Sequence, residues 1–165
     1  MPTDALKHAL KRQRLLCGAA VVVSLSAVGA ALFTQYKLDM QPCPWCVLQR
    51  VIFVAIALAA LPGLLLPFKP ARWVSALAML VLAGCGAAAA LWQHLVAASS
   101  ASCAMTLADR VVRGNGLDEL WPEGFSATAS CADAATKLLG VPYEFWSLAL
   151  FVGLLLLSVQ LLRQR

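Results

Sequence analysis

The chain has 165 residues, of which 61% are hydrophobic and only 13% charged, with a formal charge of +5 and a mean hydropathy of +0.79. A soluble domain of this length could not bury so much apolar surface, and so apolar a chain is not disordered. The scarcity of charge argues against a nucleic-acid surface and leaves the lipid bilayer as the solvent that fits.

A bilayer core about 30 Å thick takes roughly 20 apolar residues in a helix. In chain order, four stretches meet or approach that length: 15–36, 47–68, 73–93 and 145–162. A lipid-exposed backbone must satisfy its own hydrogen bonds, so they are read as helices. The expected architecture is an all-α integral membrane protein, one membrane domain over 1–165. It is a four-transmembrane-helix bundle with two extracytoplasmic loops, 37–46 and 94–144. Pro62 and Gly63 should kink the second span, and Gly18, Gly29, Gly84, Gly86 and the alanine run 87–90 offer small surfaces for helix packing. The basic tail, apolar run and Ser26-Ala27-Val28-Gly29-Ala30 of the first span also suggest a cleaved signal peptide. Its apolar run of about 20 residues exceeds the usual 7–15 of a signal core, and cleavage would leave three spans, so a retained span is expected.

Lysine and arginine set the orientation. Lys7, Lys11, Arg12 and Arg14 precede the first span, Lys69 and Arg72 lie between the second and third, and Arg163 and Arg165 follow the fourth. These eight of the 13 cations must share one side. Seven of the eight acids (Asp39, Asp109, Asp118, Glu119, Glu123, Asp133, Glu144) lie on the other. Both termini are therefore expected in the cytoplasm. The long loop 94–144 is broken by Gly114, Asn115, Gly116, Pro122 and Gly124. Within it, 117–121 with Phe125 reads either as a short amphipathic element on the membrane surface or as an ordinary loop.

This topology sorts the six cysteines. Cys17 and Cys85 fall inside spans one and three, where a thiol behaves as a small, inert hydrophobe. Cys43, Cys46, Cys103 and Cys131 face outward, an even number in an oxidising compartment. Cys43-Pro44-Trp45-Cys46 is a C-x-x-C, which suits reversible disulfide chemistry or half of a zinc site. Zinc would need further ligands, and His94 is the one outward histidine. A disulfide across so short a loop stabilises little, which favours thiol–disulfide exchange. The second span begins near Cys46, so its helix dipole would favour a thiolate there. Arg50, one turn on, adds a fixed positive charge at the membrane edge. It is a functional residue or a snorkelling anchor. Cys103 and Cys131 sit among Ala, Ser and Thr, suited to exchange with another protein.

Pro42-Cys43-Pro44-Trp45-Cys46-Val47-Leu48-Gln49-Arg50-Val51 resembles the first-loop signature of the disulfide bond formation protein B (DsbB) family. The likeness covers essentially the whole chain: four spans, a C-x-x-C before span two, a two-cysteine second loop, and Pro142 with Phe145-Trp146-Ser147-Leu148 entering span four. The resemblance implies an enzyme of the bacterial inner membrane with periplasmic catalytic loops. Such a protein-disulfide oxidoreductase reoxidises a soluble DsbA-like thioredoxin-fold oxidase and passes the electrons to membrane quinone, ubiquinone or menaquinone. That system is known to keep the bacterial periplasm oxidising.

By the same resemblance, Cys43–Cys46 and Cys103–Cys131 are the redox-active disulfides. Cys103 would be attacked by the partner thiolate, Cys131 would be its exchange partner, and Cys46 would face the quinone. Arg50 would stabilise negative charge developing on the quinone oxygen. His94 would sit near the same quinone or serve as an interfacial histidine. One departure is that Ala127-Thr128-Ala129-Ser130 precedes Cys131 where family members often carry a Gly-polar-Gly-like turn, which leaves room for a specialised paralogue. Whether the resting protein holds two separate disulfides or one between the loops stays open.

Two rival readings are a transmembrane thiol reductant relay, which would use Cys17 and Cys85, and a metal-handling membrane protein with the outward cysteines as ligands. No nicotinamide or flavin fingerprint occurs, and Val47 after Cys46 excludes a haem-attachment motif.

Overall fold

Prolines punctuate the chain where its long helices begin. The computed structural model describes residues 2–97, 107–114, 116–134 and 136–163. Helix α1 (Pro2–Lys37) is followed by α2 (Pro44–Leu65) and α3 (Lys69–Leu95). Pro44 and Pro70 occupy the first turns of α2 and α3, where a missing N–H costs nothing. Pro67 follows α2 and holds Leu66 in the extended region (φ −98°, ψ 126°), which ends that helix. In the second loop come α4 (Leu107–Gly114), α5 (Leu117–Leu120), α6 (Pro122–Phe125) and a hairpin of β1 (Lys137–Leu138) and β2 (Val141–Pro142). The last helix is α7 (Tyr143–Arg163).

Helices α1, α2, α3 and α7 are each long and apolar enough to cross a membrane. Their ends differ from the expected spans for physical reasons. Helix α1 extends well before residue 15, because the basic N-terminal segment continues the same helix out of the apolar zone. Helix α2 starts at Pro44 and not at residue 47, which takes Cys46 out of the loop and into the first helical turn. It ends at Leu65, two residues before Pro67. The segment expected as one loop, 94–144, contains three short helices and a hairpin, and Leu117–Leu120 within it is helical.

The long helices form a ring: α2 packs between α1 and α3, α3 packs on α7, and α7 returns to α1. Helix α2 is the most enclosed, and α4 lies across its outer end, burying Ala108 and Val112. Phe53 of α2 and Phe151 of α7 stack with centroids 4.1 Å apart and planes 5° apart. Gly86 of α3 faces this pair, and any Cβ there would meet the Phe151 ring. Leu15, Val22, Leu25, Val81 and Leu156 stay exposed on the outer faces, as helices in lipid require. Of the other small residues, a Cβ added at Gly29 or Gly84 would meet nothing within 4 Å beyond its own helix, whereas Ala89 and Ala90 are buried.

Pro62 interrupts the α2 ladder one turn from its end. The neighbouring backbone groups find side-chain partners. Gln13 Nε2 donates to the carbonyls of Gly63 (2.6 Å) and Leu66 (3.2 Å), and Ser75 Oγ accepts from the Gly63 N–H at 2.8 Å.

Candidate functional site

The N-terminus of α2 builds the thiol centre. Cys43 is its N-cap residue, and the Cys46 N–H donates to Cys43 Sγ at 3.3 Å. The two sulfurs lie 2.8 Å apart. Cys131, from the second loop, reaches the same place: it accepts a hydrogen bond from the Cys43 thiol and another from the Trp45 backbone N–H. Two of the N–H groups that a helix start leaves unpaired are thus spent on sulfur. The hydrogen bond that the Cys43 thiol donates to Cys131 pushes the Cys43 thiol up, with a second to Cys46 and burial adding to it. The same bond holds Cys131 below its ordinary value, helped by the Trp45 N–H and opposed by burial.

Backbone contacts hold the two loops together at this point. The Pro42 carbonyl accepts from Thr128 N–H (3.0 Å) and Ala129 N–H (3.3 Å), and Thr128 Oγ1 donates to Gln41 Oε1 at 2.7 Å. The Ala-Thr-Ala-Ser segment before Cys131 therefore docks on the residue before Cys43. Ser130 then accepts from Asp133 N–H and donates to the Asp133 carboxylate at 2.6 Å, starting the turn that contains Cys131.

On its inner side, Cys46 faces a cavity of about 210 Å³ between α1, α2, α3 and α7. Ala27, Ala30, Ala31, Phe53 and Leu150 form its apolar wall, and Leu138 of the hairpin closes one edge. The hairpin is held there by Trp146 Nε1, which donates to the Leu138 carbonyl at 3.4 Å. Its two-residue turn places Leu139 at φ 54° and Gly140 at φ 82°, the backbone of a type I′ turn.

The polar end of the cavity holds Cys46, Gln49, Arg50, Gln93 and Glu144. Gln49 Nε2 donates to Gln93 Oε1 at 2.7 Å, which fixes the amide so that Gln93 Nε2 points at Cys46 Sγ, 3.3 Å away. Arg50 is buried, and Nη1 donates to Gln35 Oε1 (2.7 Å) and the Gly124 carbonyl (2.9 Å), while Nη2 donates to the Ala31 carbonyl at 3.3 Å. All three acceptors are neutral, so the guanidinium keeps its full positive charge beside the cavity. The Glu123 carbonyl accepts from Gln35 Nε2 and Tyr36 OH, so α6 is strapped over this end by α1 and α2 together. A planar, apolar ring with oxygens at its rim suits such a space: apolar walls for the ring, and N–H donors and a cation for the oxygens.

The structure thus brings Cys43, Cys46, Cys131 and Arg50 to one centre. His94 is not in the cavity wall; its Nδ1 lies 2.7 Å from Glu144 Oε1, and Glu144 is. Cys103 lies outside the described residues. Cys17 is fully buried on the far side of the bundle, against Gly63, and Cys85 is exposed on α3. Sequence reasoning missed Gln49, Gln93 and Glu144. For the two glutamines the sequence signal was a polar side chain within an apolar helix, a feature that purely structural residues share.

The sequence profile described as Disulfide bond formation protein DsbB matches residues 13–161. The protein called Disulfide bond formation protein B 1 from Pseudomonas syringae pv. syringae (strain B728a) is 34% identical over 146 residues, covering 87% of this chain and 85% of that protein. Disulfide bond formation protein B of Dechloromonas aromatica (strain RCB) is 33% identical over 143 residues, 84% of each chain. The Chromobacterium violaceum protein of the same name is 32% identical over 159 residues, 93% of this chain and 94% of its own. The chain belongs to the DsbB family, the disulfide oxidoreductases of the bacterial inner membrane that take part in a quinone-linked disulfide relay.

Proposed function

We propose that the four outward cysteines form a two-stage relay from a periplasmic DsbA-like oxidase to membrane quinone, with Cys46 and Arg50 at the quinone end. The observation that carries this reading is the position of α2: Cys46 and Arg50 face one apolar cavity, while Cys43 behind them touches Cys131.

The thiolate of the partner attacks Cys103 of a Cys103–Cys131 disulfide, forming a mixed disulfide and releasing Cys131 as thiolate. Cys131 then attacks Cys43 of the Cys43–Cys46 disulfide, forming Cys43–Cys131 and releasing Cys46 as thiolate. The second partner thiol completes the partner's disulfide and frees Cys103, which re-forms Cys103–Cys131 and releases Cys43. Cys43 and Cys46 rejoin as two electrons leave for the acceptor. The quinone, of the ubiquinone or menaquinone class, supplies a two-electron acceptor soluble in the bilayer. Arg50 places a fixed positive charge where negative charge develops, and the Gln93 amide orients the Cys46 sulfur. The net change is one dithiol oxidised and one quinone reduced.

The basic ends of the helices (Lys7, Lys11, Arg12, Arg14, Lys69, Arg72, Arg163) lie in the cytoplasm by the positive-inside rule, which puts the thiol centre in the periplasm. The testing experiment is anaerobic reduction of ubiquinone and menaquinone analogues by the purified protein, given a reduced thioredoxin-fold oxidase, beside a Cys46→Ser control. Partner-dependent reduction that vanishes in the control is the expected result. Absence of reduction with every quinone and partner offered would remove the quinone from the scheme.

A further inference from the structure

We propose that His94 and Glu144 form a proton path from the outer surface to the polar end of the cavity. This rests on the reading that the cavity takes a quinone, and it deepens that reading by naming the residues that protonate the reduced acceptor.

The chemistry demands such a path. In the relay, sulfur moves electrons as thiolates, and the two thiol protons are lost to water before the electrons reach Cys46. The acceptor gains two electrons and must gain two protons, one on each oxygen. They have to cross into an apolar space beneath α6. Few of the wall groups can carry them. Helix α1 offers only the Thr34 hydroxyl, which donates to the Ala31 carbonyl. Helix α2 offers Cys46, the electron donor itself, and Arg50, which does not deprotonate in proteins. The amides of Gln49 and Gln93 are not acids. From α7, the Tyr143 phenol is engaged with Thr34 Oγ1 at 3.1 Å. The carboxyl group in the wall is Glu144.

Glu144 is shaped for transfer. Its side chain is 7% exposed, while that of His94, on α3, is 38% exposed. The 2.7 Å contact between His94 Nδ1 and Glu144 Oε1 joins an inside group to an outside one. An imidazole takes a proton at one nitrogen and releases one from the other, so His94 can accept at Nε2 and deliver from Nδ1. Phe145 packs on the imidazole, with centroids 4.6 Å apart, and limits the ring's freedom. A carboxylate in the first turn of α7 also has a purely structural use, as a partner of the helix dipole. The test has to separate the two.

The full-length protein is compared with Glu144→Gln, which keeps the shape and the contact to His94, and with His94→Gln. Binding of a short-chain ubiquinone analogue is followed by quenching of tryptophan fluorescence, since Trp146 lines the cavity. Quinone reduction by a reduced thioredoxin-fold oxidase is followed against pH, in H₂O and D₂O, with and without added formate. The path predicts unchanged binding and a reduction rate lowered by about 10²-fold in Glu144→Gln. It also predicts a pH profile flattened in both variants and partial rescue of Glu144→Gln by formate, a small acid that fits the vacated role. A variant with the wild-type rate and pH profile overturns the path. So does a variant that loses binding and rate together without rescue, which makes Glu144 structural. Failure of the wild-type protein to reduce any quinone, seen before any variant is tested, sinks the quinone reading and the path with it.

Discussion

The two ends of the helix bundle each hold a buried thiol beside buried polar side chains, yet they are built to opposite ends. At the basic end, Cys17 is fully buried against Gly63, and Gln13 and Ser75 serve the backbone beside Pro62. Gln13 and Ser75 there bond to backbone groups that the helix ladder leaves open, and a Cβ on Gly63 would meet the Cys17 sulfur. At the cysteine end, Gln49, Gln93, Arg50 and Glu144 surround a cavity of about 210 Å³, and their contacts aim a sulfur, a guanidinium and a carboxyl into it. A buried polar residue in an apolar span is therefore not in itself a sign of function. What separates the two ends is whether the polar groups close a gap or face one.

The sharpest way to break the comparison is at Arg50. Arg50→Gln removes the uncompensated charge and should lower quinone reduction by about 10²–10³-fold, the usual cost of removing one electrostatic donor from a charge-stabilising site. Formation of a mixed disulfide with the oxidase partner should survive, because the proposed relay assigns that chemistry to the second loop. Equal loss of both steps would mean that Arg50 acts mainly by anchoring α6 through the Gly124 carbonyl. Arg50→Lys tests the same point more finely: it keeps the charge but loses the fork, so it should fall between wild type and Gln.

The next effect is a difference between neighbouring thiols. Thiolate is the species that alkylates, so the reaction of each cysteine with iodoacetamide follows its own ionisation. Cys131 is held below its ordinary value, so as pH rises its reaction should reach half of its maximum rate below the usual thiol value near about 8.5. Cys43, pushed up by donating to Cys131 and Cys46, should reach it above that value. In the fully reduced protein at neutral pH, peptide mass spectrometry should therefore find Cys131 modified well before Cys43. The reverse order would mean that the hydrogen bond runs from Cys131 to Cys43, and Cys131 would lose its role as the attacking anion.

Packing supplies a smaller and purely structural contrast. Gly86→Ala places a methyl group against Phe151 and disturbs its stack on Phe53, for a cost of about 1–3 kcal/mol read as a lowered melting temperature. Gly29→Ala meets nothing within 4 Å and should instead stabilise α1 by about 0.5–1 kcal/mol through helix propensity. If both substitutions cost the same, the close approach of α3 to α7 at Gly86 is not what holds the ring together.

Much of this was legible in the sequence, for reasons of solvent and spacing. Long apolar runs have one stable form in lipid, so four helices could be read directly, and the C-x-x-C followed by Arg50 pointed to the end where the cavity lies. Helix ends were less legible: Pro44 pulls Cys46 into α2, and the basic segment before residue 15 continues α1 because exposed lysines and arginines are good helix formers. The second loop was the least legible. Its order comes from long-range contacts, such as the Pro42 carbonyl receiving Thr128 and Ala129 and the Arg50 guanidinium receiving Gly124, which leave no local periodicity. Glu144 was unreadable for the same reason, since its place in the first turn of α7 marks it as a helix-start acid and only the fold turns it towards the cavity.

The smallest expected effect tests the quiet end of the comparison. Cys17→Ala removes one sulfur from a packed site, so it should cost about 1 kcal/mol in stability, in the range of ordinary core substitutions. The Gly63 backbone keeps its partners, because Gln13 and Ser75 do not bond to the sulfur. Combining it with Cys85→Ala adds little, since Cys85 is exposed on the outer face of α3, where alanine is as well solvated by lipid as a thiol. Partner-dependent quinone reduction should therefore proceed at the wild-type rate in the double variant. A large loss there would have one meaning that matters for mechanism. Electrons would be entering from the basic end, through a thiol that the packing around Gly63 holds out of reach, and a transmembrane reductant relay would replace the periplasmic one. The comparison of the two ends thus reduces to one question about sulfur: a cysteine closed in by Gly63 and one facing open space should differ in every assay of electron flow.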